Sequence, residues 1–275
     1  MSFYVSLSGL KAAQSDLTVT ANNVANVSST GFKKSKASFG DIFASSGPTA
    51  VGQGVRMQKT NQQYTQGTLE TTDKTLDLAI TGDGFFTVKS AGIDASISYT
   101  RNGAFGVDKD RFVVDTTGSR LQVLPTDATG KPTSTTPASL MDLQIPKMST
   151  VVAPAVAAAL ASVSISETGL VSATYADGTV ENLGVVAMAS FASQDGLRQE
   201  GDAHWTATNM SGMAEYGEGN NGQFGAVRSG TLERSNVDIT EELVALISAQ
   251  RNFQANSKAI ETASTMTSTI VNMRT

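Results

Sequence analysis

His204 is the side chain with the most possible catalytic and metal-binding roles in this sequence. The 275-residue chain has one histidine and no cysteine. The lack of cysteine excludes thiol nucleophiles, disulfides and cysteine-based metal sites, and one histidine cannot form a histidine cluster around a metal. A catalytic triad would need His204 beside an acid and an activated nucleophile, and no G-x-S-x-G segment supplies a serine. We therefore predict no enzyme activity, no metal and no cofactor, and expect His204 and Trp205 to close a β-rich body together.

Residues 217–222, with the sequence GEGNNG, match the G-x-G-x-x-G pattern of dinucleotide-binding loops. Such a loop needs a buried strand before it and a helix after it, whose amides point at the pyrophosphate. Neither pattern flanks this segment, and Glu218 would repel an anion, so we interpret the segment as a flexible turn. Asp73, Asp77 and Asp83 similarly lack the alternating spacing of a calcium loop.

The charge and hydropathy of the chain exclude further classes. A net charge of −5 with 16% charged residues leaves no broad basic face, so nucleic acid is not an expected partner. No run of about 18 apolar residues is present, so membrane insertion is not expected. Lys11 and Asp16 interrupt the apolar segment near the N-terminus, which is not typical of a cleaved signal peptide, and we expect any export to use an uncleaved signal.

The strongest pattern is an apolar spacing of seven residues at both ends. It comprises Phe3, Leu10, Leu17 and Val24 with Leu7 near the N-terminus, and Ile239, Leu246, Phe253 and Ile260 with Leu243 near the C-terminus. This spacing keeps one stripe of a helix turned toward a partner helix. We therefore predict helices over residues 1–30 and 236–275 that form a coiled-coil-like inner domain, the second helix capped by Asn236 or Asp238.

The apolar stripes have more than one interpretation. The two helices could pair within one monomer, or they could pack on the central body. Narrow stripes on two long helices would still leave apolar surface uncovered, which favours assembly with other copies.

Three asparagines crowd the end of the first helix: Asn22, Asn23 and Asn26. Asparagine is a poor helix former, so these residues could simply ease the helix into the next segment. Their amides could equally make hydrogen bonds to neighbouring subunits, and both alternatives stay open at this point.

The sequence between the helices is of β type. Residues 31–72 are polar and rich in serine, glycine, glutamine and threonine, which is typical of an extended linker with short strands. Alternating apolar residues over 73–235 predict an antiparallel β-rich domain with hairpin turns. The predicted turns are GDG at 82–84, NG at 102–103 and DG at 177–178. Prolines break the alternation over 125–160, which we interpret as a surface excursion, and the fold class is α+β.

Nine short segments, spread over both ends and the body, carry a family signature. They are LSGL at 7–10, ANNVAN at 21–26, TGFK at 30–33, LDLAI at 76–80, GFF at 84–86, YTRNG at 99–103, LERSNVDI at 232–239, EEL at 241–243 and AQRNFQAN at 249–256. Together they resemble the bacterial flagellar axial proteins, which are the rod and hook subunits.

This resemblance implies a structural subunit of the bacterial flagellum, exported beyond the cell surface. It implies polymerisation into a hollow tube, with the terminal helices inside and the β-domain outside, and it assigns the stripe residues and the three asparagines to the assembly interface. The implied partners are other copies of the chain, the rod, the hook cap, the hook–filament junction proteins and the export apparatus. Phe39 and Phe43 resemble the short aromatic motif that is read at the export gate, although both rings could also dock on the β-rich body.

The segment ASFGDIF at 37–43, followed by a short linker, is similar to the hook subunits of the family, because distal rod subunits carry an additional stretch there. Hook subunits commonly have an outer domain inserted in the β-rich body, and only residues 125–160 stand at that place here. The leading interpretation is a hook subunit, a flexible joint that couples rod to filament and transmits torque. The alternatives are a distal rod subunit and, from another class, a secreted β-domain that binds a ligand.

Overall fold

The chain folds into two compact units. The structure, a computed structural model, describes residues 2–43, 52–91, 96–127, 129–149 and 158–273. The helical unit comprises Met1–Ser28, Lys33–Tyr64 and Asn236–Thr275, and the β unit comprises Ser29–Phe32 and Thr65–Ser235. Within the described ranges, neither long helix has an apolar stretch sufficient to cross a membrane.

Two long helices stand at the predicted ends of the chain. Helix α1 covers Ser2–Ala25 and helix α2 covers Ile239–Asn272. Asp238 is the N-cap of α2, because its carboxylate accepts the amides of Thr240 and Glu241 at 2.7 and 3.1 Å. Of the two predicted caps, Asp238 is therefore the correct one.

Much of the predicted linker, residues 31–72, is an antiparallel hairpin. Strand β1 covers Ser35–Phe43 and strand β2 covers Gly52–Gln62, with Ser35 opposite Gln62. These strands are longer than the short ones expected, and they belong to the helical unit. Their side chains are exposed or half-buried, so neither face of the hairpin needs to be apolar. The alternation of apolar and polar residues that predicts a strand from sequence is therefore weak here.

The β unit is built from antiparallel strand pairs throughout its described part. The α+β class with an antiparallel middle is thus confirmed. Its strands are β3 Leu69–Thr71, β4 Leu78–Thr81, β5 Phe85–Lys89, β6 Ile97–Thr100, β7 Gly106–Val107, β8 Val113–Val114, β9 Arg120–Leu124, β10 Met141–Asp142, β11 Leu160–Ile165, β12 Leu170–Tyr175, β13 Val180–Val186, β14 Met188–Ser190, β15 Arg198–Gly201, β16 His204–Thr206, β17 Glu215–Gly217, β18 Ala226–Ser229 and β19 Thr231–Glu233.

The main sheet has the order β11-β12-β13-β9-β5-β6-β16-β15, and β7, β8, β10, β14 and β17 attach to it. Strands β4 and β18 form a separate pair, as do β3 and β19. Inward-facing aliphatic and aromatic side chains of these strands form one apolar core. Its members include Leu78, Ile80, Phe86, Val88, Leu121, Val123, Val171, Val186, Met188 and Val227.

Two of the three predicted hairpin turns are wrong. Strand β4 enters the GDG turn but pairs with β18, while β5, which follows the turn, pairs with β6, β9 and β14. The NG turn at 102–103 likewise joins no hairpin: the Gly103 carbonyl accepts the Leu78 amide at 2.9 Å, and a Cβ on Gly103 would lie 1.7 Å from the Leu78 carbonyl oxygen. Only the DG turn joins neighbouring strands, β12 and β13. Partner choice in a sheet depends on long-range packing, which a local turn signal does not contain.

The surface excursion predicted for 125–160 is wrong in part. Strand β10 within it pairs with β9, and the side chains of Leu143 and Ile145 are buried in the core. The alternating apolar residues here outweigh the prolines, which stand outside the paired strand. Residues 150–157 of this segment lie outside the described residues.

Candidate assembly surface

Helices α1 and α2 pack against each other in antiparallel directions. A Cβ on Gly9 would lie 2.6 Å from Asn256 Oδ1, and Asn23 Nδ2 donates to Glu242 Oε2 at 3.0 Å. As the contact moves along α1 from residue 9 to residue 23, it moves back along α2 from 256 to 242. Gly9 therefore lets α2 approach closely, and the two helices contact each other within one chain, while a coiled-coil-like packing stays a prediction.

The α1 face at this contact consists of small and polar residues. Ala13, Thr20 and Asn23 are buried on it. The predicted stripe lies beside this face: Leu7, Leu10, Leu17 and Val24 are half-buried, and Phe3 is exposed. The stripe is thus only partly covered by the chain's own packing, and its role in assembly stays a proposal.

The stripe on α2 divides into two parts. Leu246, Phe253 and Ile260 are half-buried, on the same side of the helix as the buried Ala249. Ile239 and Leu243, nearer the start of α2, are 48% and 46% exposed. Further exposed apolar residues are Tyr4 and Val5 on α1, and Val244, Ile247, Met266, Ile270, Val271 and Met273 on α2 and at its C-cap. Apolar surface of this extent is typical of a surface that another chain covers.

The antiparallel register places the end of α2 beyond the first residues of α1. Because Gly9 lies opposite Asn256, the first residues of α1 lie opposite residues near 263. The last turns of α2 continue to Asn272, and Ile270 there is 65% exposed. This terminal extension, defined as residues 264–272, is the longest stretch of helix whose side chains are all exposed.

A polar network joins α1, the start of β1 and the start of α2. Lys34 Nζ lies 2.7 Å from Glu242 Oε1 and 3.1 Å from Glu241 Oε2. Burial alone would lower the pKa of Lys34, but the hydrogen bonds and charges of the two glutamates raise it. Asn23 completes the network, because its amide donates to the Ser35 carbonyl and to Glu242 and accepts the Ser35 amide.

The three asparagines therefore have different positions. Asn23 has a role inside the chain, which replaces the contact to a neighbouring subunit that the sequence suggests for it. Asn26 Nδ2 donates to the Asn22 carbonyl at 3.0 Å, and the Asn22 side chain is exposed. Asn22 is thus the member of the group best placed to reach another subunit. Sequence reasoning missed Lys34 and Glu242, for which the only signal was charge at the edges of predicted apolar helices.

Phe39 and Phe43 lie on one face of β1, with 37% and 62% of their surface exposed. Met57, opposite Phe39 on β2, is also exposed. Together these residues form an apolar face on the hairpin. Both rings are accessible to another protein in this structure, which is what recognition at the export gate requires, and that role stays a proposal.

His204 and Trp205 are buried in β16, where the sequence predicts that they help to close the body. His204 Nε2 lies 2.7 Å from Asp115 Oδ2, and Nδ1 lies 2.9 Å from the Asp202 carbonyl oxygen. Asp115 also accepts the amides of Thr117 and Ser119, so its loop holds it in place. Among the described residues, no group of acidic, histidine and cysteine side chains has the arrangement of a metal site.

Three protein-family models match this chain, one at the N-terminal helix, one in the β unit and one at the C-terminal helix. Residues 3–33 match the model of the flagella basal body rod protein, residues 79–173 match the D1 domain of the flagellar hook proteins FlgE/F/G, and residues 228–273 match the C-terminal model of the flagellar basal body rod FlgEFG proteins. These matches define the class, an axial protein of the bacterial flagellum.

Individual relatives agree with this class. The chain is 33% identical to the flagellar basal-body rod protein FlgG of Bacillus subtilis, over 99% of this chain and 98% of the relative. It is 28% identical to the flagellar hook protein FlgE of Salmonella typhimurium, over all of both chains. The chain therefore belongs to the flagellar rod and hook protein family.

A solved structure, the hook protein FlgE2 of Helicobacter pylori, matches with 17% identity and a TM-score of 0.25, covering 50% of this chain and 38% of that one. This likeness is too weak to carry an argument about the fold.

Proposed function

We propose that this chain is the structural subunit of the flagellar hook, which assembles into a hollow tube and couples the rod to the filament as a flexible joint. The observation that carries self-assembly is the exposed apolar surface on both terminal helices, above all on the terminal extension of α2. Among the described residues, none covers this extension in the monomer, and a neighbouring copy with the same apolar surface is the partner that we propose for it. In such a tube the stripe residues and Asn22 contact other copies, whereas Phe39 and Phe43 engage the export apparatus before the subunit reaches the tube.

The hook assignment rests on the segment ASFGDIF at 37–43 and on the hairpin that contains it. Only residues 44–51 stand between β1 and β2, and this short connection supports a hook subunit over a distal rod subunit with an additional stretch there. A flexible joint requires subunits that can slide against each other while the inner helices stay in register. The hairpin, whose side chains are largely exposed, is suited to such sliding contacts.

The distal rod is the second candidate, and chain length favours it. The alignment with the rod protein of Bacillus subtilis spans 297 positions, close to the 275 residues of this chain. The alignment with the hook protein of Salmonella typhimurium spans 410 positions, so that relative has many residues without a counterpart here. The chain is therefore close in length to the rod relative and shorter than the hook relative.

Deletion of the gene in the source organism separates the two candidates. If the chain forms the hook, basal bodies isolated from the deletion strain will have rods of full length with no hook attached, and the purified chain will assemble into curved tubes in electron micrographs. Shortened rods, together with straight tubes, would assign the chain to the distal rod instead. Full restoration of motility by the β unit alone would favour a ligand-binding domain over both.

A further inference from the structure

Three segments of the chain connect the two units. In each unit, one residue of the third segment makes hydrogen bonds to the other two segments. The first segment contains the crossings at 28/29 and 32/33, the second contains the crossing at 64/65, and the third contains the crossing at 235/236. A single peptide connection has considerable freedom, since each unfixed residue keeps its backbone entropy. Hydrogen bonds that join the three segments within each unit reduce the backbone entropy of the segments themselves.

On the β unit, Glu233 of the third segment holds the other two. Its backbone carbonyl accepts the Gly31 amide at 2.8 Å, and its side-chain Oε1 accepts the Gly67 amide at 2.9 Å. The carboxylate is fully buried, and its Oε2 faces Arg101 Nη1 at 3.4 Å. The Arg234 amide adds a bond to the Thr68 carbonyl at 2.8 Å.

The glycines at these contacts permit the close approach. A Cβ on Gly67 would lie 2.0 Å from the Arg234 carbonyl oxygen. A Cβ on Gly31 would lie 2.5 Å from the Asn102 amide nitrogen, and Gly31 has a φ of 69°. Both positions therefore require glycine for contact with backbone, which cannot move aside as a flexible side chain can.

In the helical unit, Asn236, three residues after Glu233, also makes hydrogen bonds to the other two segments. Its Oδ1 accepts the Lys34 amide at 2.7 Å, and its Nδ2 donates to the Gln63 carbonyl at 2.8 Å. The Gln63 amide in turn donates to the Lys34 carbonyl at 2.8 Å, so the three segments form a closed set of hydrogen bonds. Both atoms of the amide are used, and neither aspartate nor leucine offers a donor and an acceptor in that geometry.

We infer that Glu233 and Asn236 are positioning residues that hold the three connecting segments side by side, Glu233 within the β unit and Asn236 within the helical unit. The consequence is that the connecting segments loosen together rather than one at a time. This inference stands apart from the proposed hook function, because it concerns a single folded chain and applies equally to a rod subunit.

Asn236→Ala tests the inference in the purified, full-length monomer. Trypsin can report directly, since Lys33, Lys34 and Arg234 stand beside the crossings. We expect the rates of tryptic cleavage after Lys34 and after Arg234 to rise together by roughly tenfold. The reason is that losing these hydrogen bonds raises the equilibrium population of the open segments by about that factor. Hydrogen exchange of the Lys34 amide, whose acceptor is removed, is expected to accelerate by the same factor.

The matched control is Glu70→Gln, which removes an exposed ion pair with Arg234 close to the same crossing but touches neither set of hydrogen bonds. Its cleavage rates are expected to stay near those of the wild type. Asn236→Asp keeps the acceptor for Lys34 and loses the donor to Gln63, so it should leave Lys34 exchange slow while it speeds cleavage. Faster cleavage after Lys34 alone, equal effects of Glu70→Gln and Asn236→Ala, or no change in Asn236→Ala would each overturn the inference.

Discussion

Both ring nitrogens of His204 face oxygen acceptors, the Asp115 carboxylate on one side and the Asp202 carbonyl on the other. A neutral imidazole has one N–H and can satisfy only one of them, so the geometry favours the doubly protonated ring. Burial alone would lower the pKa of His204, but the bond to Asp115 and its charge raise it, with smaller contributions from Asp202. Both the two acceptors and the raised pKa favour a charged histidine that joins two loops.

The first prediction concerns the dependence of stability on pH. Because the folded pKa of His204 is raised above its ordinary value of 6.5, its contribution is complete below pH 6.5 and is lost as the pH rises through the folded pKa. Burial alone would raise the pKa of Asp115, but the hydrogen bonds of His204, Thr117 and Ser119 lower it, so its contribution is lost as the pH falls through that lowered value.

Urea unfolding followed by the fluorescence of the buried Trp205 measures this contribution. We expect His204→Gln to be less stable than the wild type near neutral pH, with a difference that shrinks as the pH becomes alkaline. Asp115→Asn serves as the control, since it removes the charge that raises the histidine pKa and should flatten the alkaline part of the profile. Parallel profiles for the wild type and His204→Gln would contradict a charged histidine.

At the scale of elements, the hairpin of β1 and β2 is the feature that sequence reasoning described least well. Its ends are neighbours in space, because the Gln63 amide donates to the Lys34 carbonyl at 2.8 Å. The strands can therefore be excised without stretching the chain that remains. The β unit keeps all its own strands after such an excision.

The second prediction is that replacing residues 35–62 by two glycines stiffens the tube or prevents its formation. The physical reason is that, under the proposed hook function, the hairpin supplies the sliding contacts, and the β unit loses none of its strands in the excision. Electron microscopy of assembled tubes and a motility assay are the measurements, with Trp205 fluorescence confirming that the β unit is folded. A control that replaces residues 44–51 by a glycine-serine segment of equal length keeps both strands and should retain curvature. Normal curvature and motility after the excision would refute the proposed role.

At the scale of the whole molecule, the two long helices differ in how much of them the chain covers. Gly9 and Asn256 fix the register, and this register leaves the terminal extension of α2, residues 264–272, exposed. A side chain that is exposed in the monomer but covered in the tube affects assembly without affecting the fold. This separation permits a clean test.

The third prediction is that Ile270→Asp reduces tube formation by at least roughly tenfold, since a charge placed in a covered apolar contact costs more than about 1.4 kcal/mol. The midpoint of monomer unfolding is expected to stay unchanged, because Ile270 is 65% exposed there. Light scattering and electron microscopy measure assembly, and circular dichroism measures unfolding. Ser264→Asp, which adds the same charge to an exposed polar position of the same extension, should assemble normally if the apolar contact matters.

The sequence by itself determined the two terminal helices, the antiparallel β middle, the absence of a cysteine site and the family, because each rests on local periodicity or on residue types. The cap at Asp238 and the DG turn at 177–178 were also local enough to predict. Tertiary structure alone decided that β4 pairs with β18, that Leu143 and Ile145 are buried, and that Asn23 and Asn236 are occupied inside the chain. Those outcomes depend on which distant segments meet, and the free energy of such meetings comes from packing and hydrogen bonds between residues far apart in the chain.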